Sequence, residues 1–209
     1  ILHGEKENHQ GLLGERKGCI CNHMQEKQVK LKYLCFLVVF LICQFGMGCS
    51  TSPGERIIFD FETDEELDHF HWKCRTLFAL SGEHVTHGSK SLKLELYPSE
   101  YPGLAPMIKD TDWRRYGAFQ FDVYNPEEKD IVLSVRIDDK EDYPDYADRY
   151  NNSFAIKPGA NAITIGFDSL ITSGTKRVLN LTMIYRVIIF VAQPKEKTTL
   201  YFDYFRLVP

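Results

Sequence analysis

Hydrophobic and polar residues alternate with a period of two along most of the chain beyond residue 55. In Ile131–Asp138 (IVLSVRID) leucine, valine and isoleucine take every second position, and serine, arginine and aspartate lie between them. The segment Ala118–Tyr124 (AFQFDVY) has the same pattern. Because successive side chains of a strand point to opposite faces, each segment is predicted to be a strand with one buried and one polar face.

The pattern recurs often enough to predict an all-β domain over residues 56–209. About ten short strands are expected, at Arg56–Glu62, Cys74–Leu80, Ser91–Leu96, Leu104–Ile108, Ala118–Tyr124, Ile131–Asp138, Ser153–Ile156, Ala162–Asp168, Tyr185–Val191 and Thr199–Leu207. Glycine, proline and asparagine separate them, and only Asp64–His69 and Asp112–Tyr116 are expected to form single helical turns. Many short strands at this spacing favour a β-sandwich or jelly roll.

The first 55 residues have a different character. Residues 1–23 are polar and without periodicity, and we expect an untranslated or disordered extension. Residues 24–49 begin with Met24 and several lysines, continue with the apolar run Tyr33–Phe45 and end in small residues before Cys49. This order is typical of a secretory signal, and the run is shorter than the roughly 20 apolar residues of a membrane span. An uncleaved signal anchor is the alternative.

Gly48-Cys49 resembles the lipobox of bacterial lipoproteins, although Gly46 stands where that family usually has leucine. The resemblance implies that Cys49 is acylated and attaches the chain to a membrane through a lipid anchor. Ser50 after the cysteine resembles lipoproteins sent to the outer membrane of the bacterial cell envelope, on its periplasmic or surface side. Residues 50–55 would form a short linker.

Cysteine and charge narrow the possibilities for the domain. Of the six cysteines only Cys74 lies beyond residue 49, so no disulfide framework is expected, and alternation predicts that Cys74 faces inward. The net charge is −4 and no basic run occurs, so nucleic acid is not an expected partner. Most of the phenylalanines are expected in the core: Phe59, Phe61, Phe78, Phe119, Phe121, Phe154, Phe167, Phe190 and Phe205.

The strand Ile131–Asp138 and the loop after it suggest a ligand site. Arg136 and Asp138 share the polar face, and the following segment DKEDYPDYADRYN is dense in acids and tyrosines. Aromatic rings can stack on a sugar while arginine and aspartate bond its hydroxyl groups. Ring candidates are Tyr101, Trp113, Tyr143, Tyr146 and Tyr150. The alternative is a solvated strand edge followed by a charged turn, and the residues alone leave both open.

Four segments together resemble a galactose-binding-like jelly roll, closest to the family-eleven carbohydrate-binding modules. They are FDFE at Phe59–Glu62, HVTHGSKSLKL at His84–Leu94, DWRRYGAFQFDVYNP at Asp112–Pro126 and LYFDYFRL at Leu200–Leu207. The resemblance implies that poly- or oligosaccharide binds in a cleft on a concave sheet. Arg136 and Asp138 would bond hydroxyl groups, the rings of Tyr143, Tyr146 and Tyr150 would stack, and Arg149 and Asn151 would form the rim.

The resemblance also implies a structural Ca²⁺ ion that joins the two ends of the domain. Glu62 and Asp203 would supply carboxylates, Asp60 would be a reserve ligand, and backbone carbonyls around Thr86, Gly88 and Ser91 would supply further oxygens. Calcium takes six to eight oxygen ligands of this kind. The alternative is that these acids are strand-end residues in water.

Sequence motifs of enzymes are absent. There is no G-x-S-x-G, H-E-x-x-H, Walker or Rossmann pattern, and His84 and His87 lack further zinc ligands at suitable spacing. Paired acids such as Asp138/Asp139 or Asp145/Asp148 could serve a glycosidase only across a cleft. Three functions therefore stay open: a non-catalytic carbohydrate-binding lipoprotein, which we favour, a protein-interaction or assembly factor of the same fold, and a small glycan-active enzyme.

Overall fold

A computed structural model describes residues 54–209 of the 209-residue chain, with the side chain of Lys73 excepted. The predicted extension, signal segment, lipobox Cys49 and most of the 50–55 linker lie outside the described residues. The described part contains eleven strands: β1 Arg56–Phe59, β2 Phe70–Lys73, β3 Thr76–Ser81, β4 Ser91–Leu96, β5 Gly103–Pro106, β6 Ala118–Asn125, β7 Ile131–Asp138, β8 Tyr150–Ile156, β9 Gly159–Gly166, β10 Arg186–Val191 and β11 Thr198–Val208. Short 3₁₀ turns span Asp64–His69, Tyr146–Asp148 and Phe167–Ser169.

The strands form two antiparallel sheets, which confirms the predicted β-sandwich. The first sheet has the order β3-β4-β11-β6-β9, and β1 also pairs with β11. The second has the order β2-β5-β10-β7-β8. Strand β7 thus lies between β10 and β8, with Arg136 opposite Ile188 on one side and opposite Asn151 on the other. This register brings side chains from three strands to one face of the second sheet.

Phenylalanine rings fill the space between the sheets. Phe205 makes ring contacts with Phe61 and Phe121 at centroid distances of 5.5 and 5.3 Å. Trp113, predicted as a possible sugar platform, is fully buried, and its indole nitrogen donates to the carbonyl of Asp110 at 3.1 Å. That prediction is wrong because the large apolar ring is sealed against Phe119 and Phe167. Phe78, predicted in the core, is 40% exposed.

Of the other local predictions from the sequence, some are confirmed and some are wrong. Asp64–His69 forms the expected helical turn, whereas Asp112–Tyr116 is an ordinary turn closed by a bond from the Tyr116 amide to the Trp113 carbonyl. Strand β2 was not predicted. Cys74 lies in the bend between β2 and β3, with a φ of 51°, and is exposed. The prediction that it faces the core is wrong because the chain turns there instead of continuing as a strand. Within residues 54–209 no helix has the length and apolar character needed to cross a membrane.

Candidate functional site

A groove of about 420 Å³ lies on the outer face of the second sheet. Its floor comes from neighbouring residues of β7, β8 and β10, namely Arg136, Asn151, Ile188 and Phe190. Its sides are formed by loop residues, namely Cys74, Tyr101, Tyr143, Tyr146 and Arg149. The structure thus brings four of the six predicted sugar-binding residues to one groove. A pocket of this size with apolar walls and a few converging polar groups is typical of a small-ligand site.

Asp138 is fully buried beneath the arginines of the groove, although the sequence suggested that it meets the ligand. Arg136 donates from Nε and Nη2 to the two oxygens of Asp138 at 2.8 and 2.6 Å. Arg186 donates to the same carboxylate at 2.7 Å. The side chain of Asp138 is 0% exposed, so it has no surface with which to contact a sugar. Its role as a direct ligand is therefore corrected: it holds Arg136 in place.

Three of the predicted tyrosines present their rings to solvent around the groove. Tyr143, Tyr146 and Tyr101 are 73%, 65% and 49% exposed. The ring of Tyr143 lies 4.0 Å from the guanidinium carbon of Arg186, and the ring of Tyr101 meets that of Phe190 edge-on at 5.5 Å. Such cation–π and edge-to-face contacts orient a ring while leaving its other surface available.

Tyr150 does not belong to this set. It is only 6% exposed and belongs to the hydrophobic core. Tyr150 pairs with Ile137 across β7 and β8, and residues opposite each other in a ladder share a face. Since Ile137 points inward, Tyr150 does too, and its prediction as a stacking ring is wrong.

A second arginine cluster holds the loop that carries Tyr143 and Tyr146. Arg177 donates from Nη1 and Nη2 to Asp139 at 2.5 and 2.9 Å, and from Nε to Asp148 at 3.0 Å. These bonds lower the pKa of Asp139, and Lys140 and Arg177 lower the pKa of Asp148 to about 2. The amides of Gly174 and Thr175 also donate to the carbonyl of Ala147, both at 2.9 Å. The loop is therefore fixed from the neighbouring 172–178 segment.

The same ion pairs argue against the acid pairs considered for catalysis. A glycosidase acid needs a raised pKa. Asp138 is bound by two arginines, while the pKa values of Asp139 and Asp148 are lowered by their cationic partners. The carboxyl groups of Asp139 and Asp148 are therefore held ionised, which suits ion pairing and does not suit proton donation to a leaving group.

Arg149 differs from the other arginines of the groove because its guanidinium has no hydrogen-bond partner among the described residues. Its Nε is buried and unpaired. Burial first, and then the positive charge of Arg136, lower the pKa of Arg149. The ring of Tyr146 lies 5.4 Å from its guanidinium carbon. Almost all buried polar groups in proteins have a partner, so an unpaired donor in a groove indicates a place for a ligand acceptor.

Sequence reasoning missed several residues of the groove. Ile188 and Phe190 come from β10, where Arg186, outside the lining, occupies the same alternation phase. An arginine in phase with apolar residues could have indicated that this face is partly exposed. Phe190, which was predicted in the core, lines the groove instead and is half-buried. Cys74 reaches the groove from the bend before β3.

The predicted calcium ligands meet backbone N–H groups in this structure. Glu62 accepts hydrogen bonds from the amides of Ser89 and Lys90 at 2.7 and 2.9 Å and from the Ser89 hydroxyl at 2.7 Å. Together these bonds lower the pKa of Glu62 to about 2. Asp203 accepts from the amides of Thr86 and His87 at 2.7 and 3.0 Å, while burial raises its pKa.

This donor set does not fit the implied calcium site, because a cation needs oxygens where the turn presents N–H groups. Gly88, at a φ of 69°, packs so closely on Glu62 that a Cβ would lie 2.3 Å from its Oε1. Ser91 is buried and donates to the Glu83 carbonyl at 2.5 Å. Asp60 lies 3.3 Å from His87 Nδ1. Within residues 54–209 no group of three or more acidic, histidine or cysteine side chains is placed to hold a metal. The ion itself stays a prediction.

No protein-family model and no curated protein sequence matches the chain. Among solved structures, the family 11 carbohydrate-binding module of the cellulase Lic26A-Cel5E of Clostridium thermocellum has a TM-score of 0.56 and 14% identity, over 76% of this chain and 96% of the module. A family 11 module in complex with a β-1,3-1,4-mixed-linked tetrasaccharide has a TM-score of 0.54 and 15% identity, over 76% and 97%.

An exo-β-agarase gives a TM-score of 0.61 at 18% identity over 73% of this chain. This chain spans 25% of the agarase's length, whereas it spans nearly the whole of the family 11 modules. The described domain therefore has the galactose-binding-like jelly-roll fold that carbohydrate-binding modules and domains of glycoside hydrolases share. The family 11 carbohydrate-binding modules are among the neighbours of matching length, and at these identities the likeness establishes the fold.

Proposed function

We propose that residues 56–209 form a non-catalytic carbohydrate-binding module that holds a poly- or oligosaccharide in the groove of the second sheet. The observation that carries this proposal is the convergence of exposed Tyr101, Tyr143 and Tyr146 on a floor with Arg136 and Asn151. Rings on the sides of a groove can stack on sugar faces, and the guanidinium and amide groups can bond hydroxyl groups. The complex of a family 11 module with a mixed-linked tetrasaccharide supports this reading of the fold.

The chain is further proposed to be a lipoprotein of the bacterial cell envelope. Gly48-Cys49 after a short apolar run supports acylation of Cys49, and the linker 50–55 would keep the module close to the outer membrane. Metabolic labelling with an alkyne fatty acid tests this: the full chain should be labelled and Cys49→Ser should not. Labelling that survives Cys49→Ser would overturn the anchor without bearing on the groove.

Affinity electrophoresis of the full chain through gels that contain different polysaccharides tests sugar binding. We expect retardation by at least one polysaccharide, weakened about fivefold by Tyr143→Ala or Tyr146→Ala, since one aromatic contact contributes about 1 kcal/mol. Tyr124→Ala is the matched control, because Tyr124 lies on β6 in the first sheet and does not line this groove. Equal retardation of all variants would contradict the proposed site.

Cys74 offers a second readout, because it is exposed and lines the groove. A bound saccharide should slow alkylation of Cys74, measured by mass spectrometry of the peptide that contains it.

The second candidate function is a protein-interaction factor of the same fold, which the exposed tyrosines favour because tyrosine is enriched in protein interfaces. A folded protein that binds no glycan would support this alternative.

A further inference from the structure

The charged side chains that line the groove are all positive. The lining contains Arg136 and Arg149 and no carboxylate. Asp138, the acid nearest to Arg136, is fully buried and shared between Arg136 and Arg186. Asp145, whose charge acts on Arg149, is exposed and does not line the groove. Although the whole chain has a net charge of −4, the surface that would meet a ligand is positive.

The two arginines have different hydrogen-bonding capacity to spare. Arg136 commits Nε and Nη2 to Asp138, so its Nη1 is the remaining donor group. Arg149 commits none of its side-chain donors within the described residues, and its Nε is buried without a partner. A buried unpaired donor costs free energy, and a guanidinium is the side chain best shaped to pair with a planar or tetrahedral anion. The missing partner is therefore an acceptor, and a charged acceptor would satisfy it best.

Hydroxyl groups of a neutral sugar would leave this charge uncompensated. Two guanidinium groups that line one groove repel each other: burial lowers the pKa of Arg149, and the positive charge of Arg136 lowers it further. A ligand anion placed between them would remove that repulsion and pair with the donors of both. Neutral glucan recognition needs only the rings and one or two hydrogen-bonding groups.

We infer that the groove selects an acidic saccharide, one whose carboxylate or sulfate group is bound by Arg149 together with Arg136 while the neighbouring tyrosines hold the sugar ring. This inference rests on the proposed function and narrows it to a substrate class. Carboxylate and sulfate share the chemistry that the arginines recognise, and they are separated by experiment.

The experiment measures binding of the full chain to matched polysaccharides by affinity electrophoresis. Polygalacturonate is compared with its methyl-esterified form, and a sulfated galactan with agarose, so that each pair differs in charge on a common type of backbone. We expect the charged member of at least one pair to bind about tenfold more tightly, and added salt to weaken that preference. The pair that shows the preference identifies the anion.

Arg149→Gln assigns the effect to the groove. This variant should lower affinity for the charged polysaccharide about tenfold and remove the preference over its neutral partner. Its melting temperature should change little, because Arg149 donates no hydrogen bond within the described residues, and the removed repulsion from Arg136 offsets the lost contact with the Tyr146 ring. Arg115→Gln is the control: it makes the same change in net charge at an exposed position outside the groove.

The outcomes separate the inference from the proposal beneath it. Equal binding of charged and neutral members, unaffected by Arg149→Gln but weakened by Tyr146→Ala, would overturn the acidic ligand and leave sugar binding standing. Binding to no polysaccharide would overturn both. A charge preference that Arg115→Gln abolishes as fully as Arg149→Gln would show general attraction to the protein surface and would also overturn the inference.

Discussion

Asp138 lies directly beneath Arg136 on the same strand face, and both oxygens of its buried carboxylate accept hydrogen bonds from that one guanidinium, at 2.8 and 2.6 Å. Two residues that are next-but-one along β7 thus form a bidentate pair, and Arg186 of β10 completes it. The carboxylate turns a flexible side chain into a fixed part of the groove floor. In the proposed site Arg136 contacts the ligand, and Asp138 holds the guanidinium of Arg136 in its orientation.

Replacing Asp138 tests this division. Asp138→Ala should lower the free energy of unfolding by about 3–5 kcal/mol, because it leaves two largely buried guanidinium groups without their counter-ion. Urea denaturation followed by fluorescence measures the change. Asp130→Ala, at an exposed position before the same strand, should change stability by less than about 0.5 kcal/mol. A cost for Asp138→Ala as small as that of the control would show that the buried pair contributes little.

Arg177 is expected to stabilise both the fold and the loop of the groove. Arg177→Met should cost about 3 kcal/mol, because Asp139 would stay buried without a cationic partner, with backbone amides such as that of Asn180, at 2.7 Å, as its donors. It should also speed hydrogen exchange in the loop that contains Asp148 and weaken sugar binding. The exposed ion pair of Arg114 with Asp112 provides the control, and Arg114→Met should cost less than about 1 kcal/mol. Unchanged exchange in the loop would contradict the bracing role.

Much of the sheet architecture could be predicted from the period of two, because one buried face imposes that pattern on a strand. The alternation in β6 and β7 gave their bounds to within one residue. Arg136 and the exposed tyrosines were found for the same reason: an arginine on the polar face and rings in an adjoining loop leave a local signal.

Long-range pairing could not be predicted in this way. Arg177 is 38 residues from Asp139 and Arg186 is 48 residues from Asp138, which Arg186 reaches because β10 lies beside β7. Without that strand order, Asp138 has the pattern of an exposed polar residue. The prediction for Tyr150 was wrong for a related reason: the face to which its side chain points follows from its register with Ile137 and not from its residue type.

Low pH should weaken the hydrogen bonds between the Glu62 carboxylate and the turn that contains Ser89. The pKa of Glu62 is lowered from 4.5 to about 2 by hydrogen bonds from Ser89 and Lys90. Because the folded pKa lies below the ordinary value, the stabilising contribution is complete above pH 4.5 and is lost as the pH falls toward 2. The melting temperature of the wild-type protein should therefore fall more steeply over this range than that of Glu62→Gln. Parallel curves would contradict this assignment.

The same turn allows the calcium expectation to be tested. Since N–H groups already surround the carboxylates of Glu62 and Asp203, we expect equal melting temperatures in excess calcium and in chelator. Differential scanning calorimetry at neutral pH measures both. A midpoint that rises with calcium in the wild-type protein, and does not rise in Glu62→Gln, would support the ion and would require the turn to rearrange around it.

Gly103 controls how closely β5 approaches the groove-forming strand β10. A Cβ at this position would lie 2.1 Å from the carbonyl oxygen of Ile189 and 2.7 Å from the Cα of Phe190, and backbone atoms cannot move aside as a flexible side chain can. Gly103→Ala should therefore push the strands apart and cost about 1–3 kcal/mol of stability, measured by urea denaturation.

The displacement should also reach the groove, because Phe190 forms part of its floor and contacts the ring of Tyr101. We expect weaker retardation of Gly103→Ala in polysaccharide gels under conditions where the variant is fully folded. Gly82→Ala is the matched control, since a Cβ there meets nothing within 4 Å and should change neither stability nor binding. Gly103→Ala could instead be destabilised and still bind polysaccharide with wild-type affinity. That result would show that the position of Phe190 does not matter for the ligand. The site would then be confined to the part of the groove lined by Arg136, Tyr143, Tyr146 and Arg149.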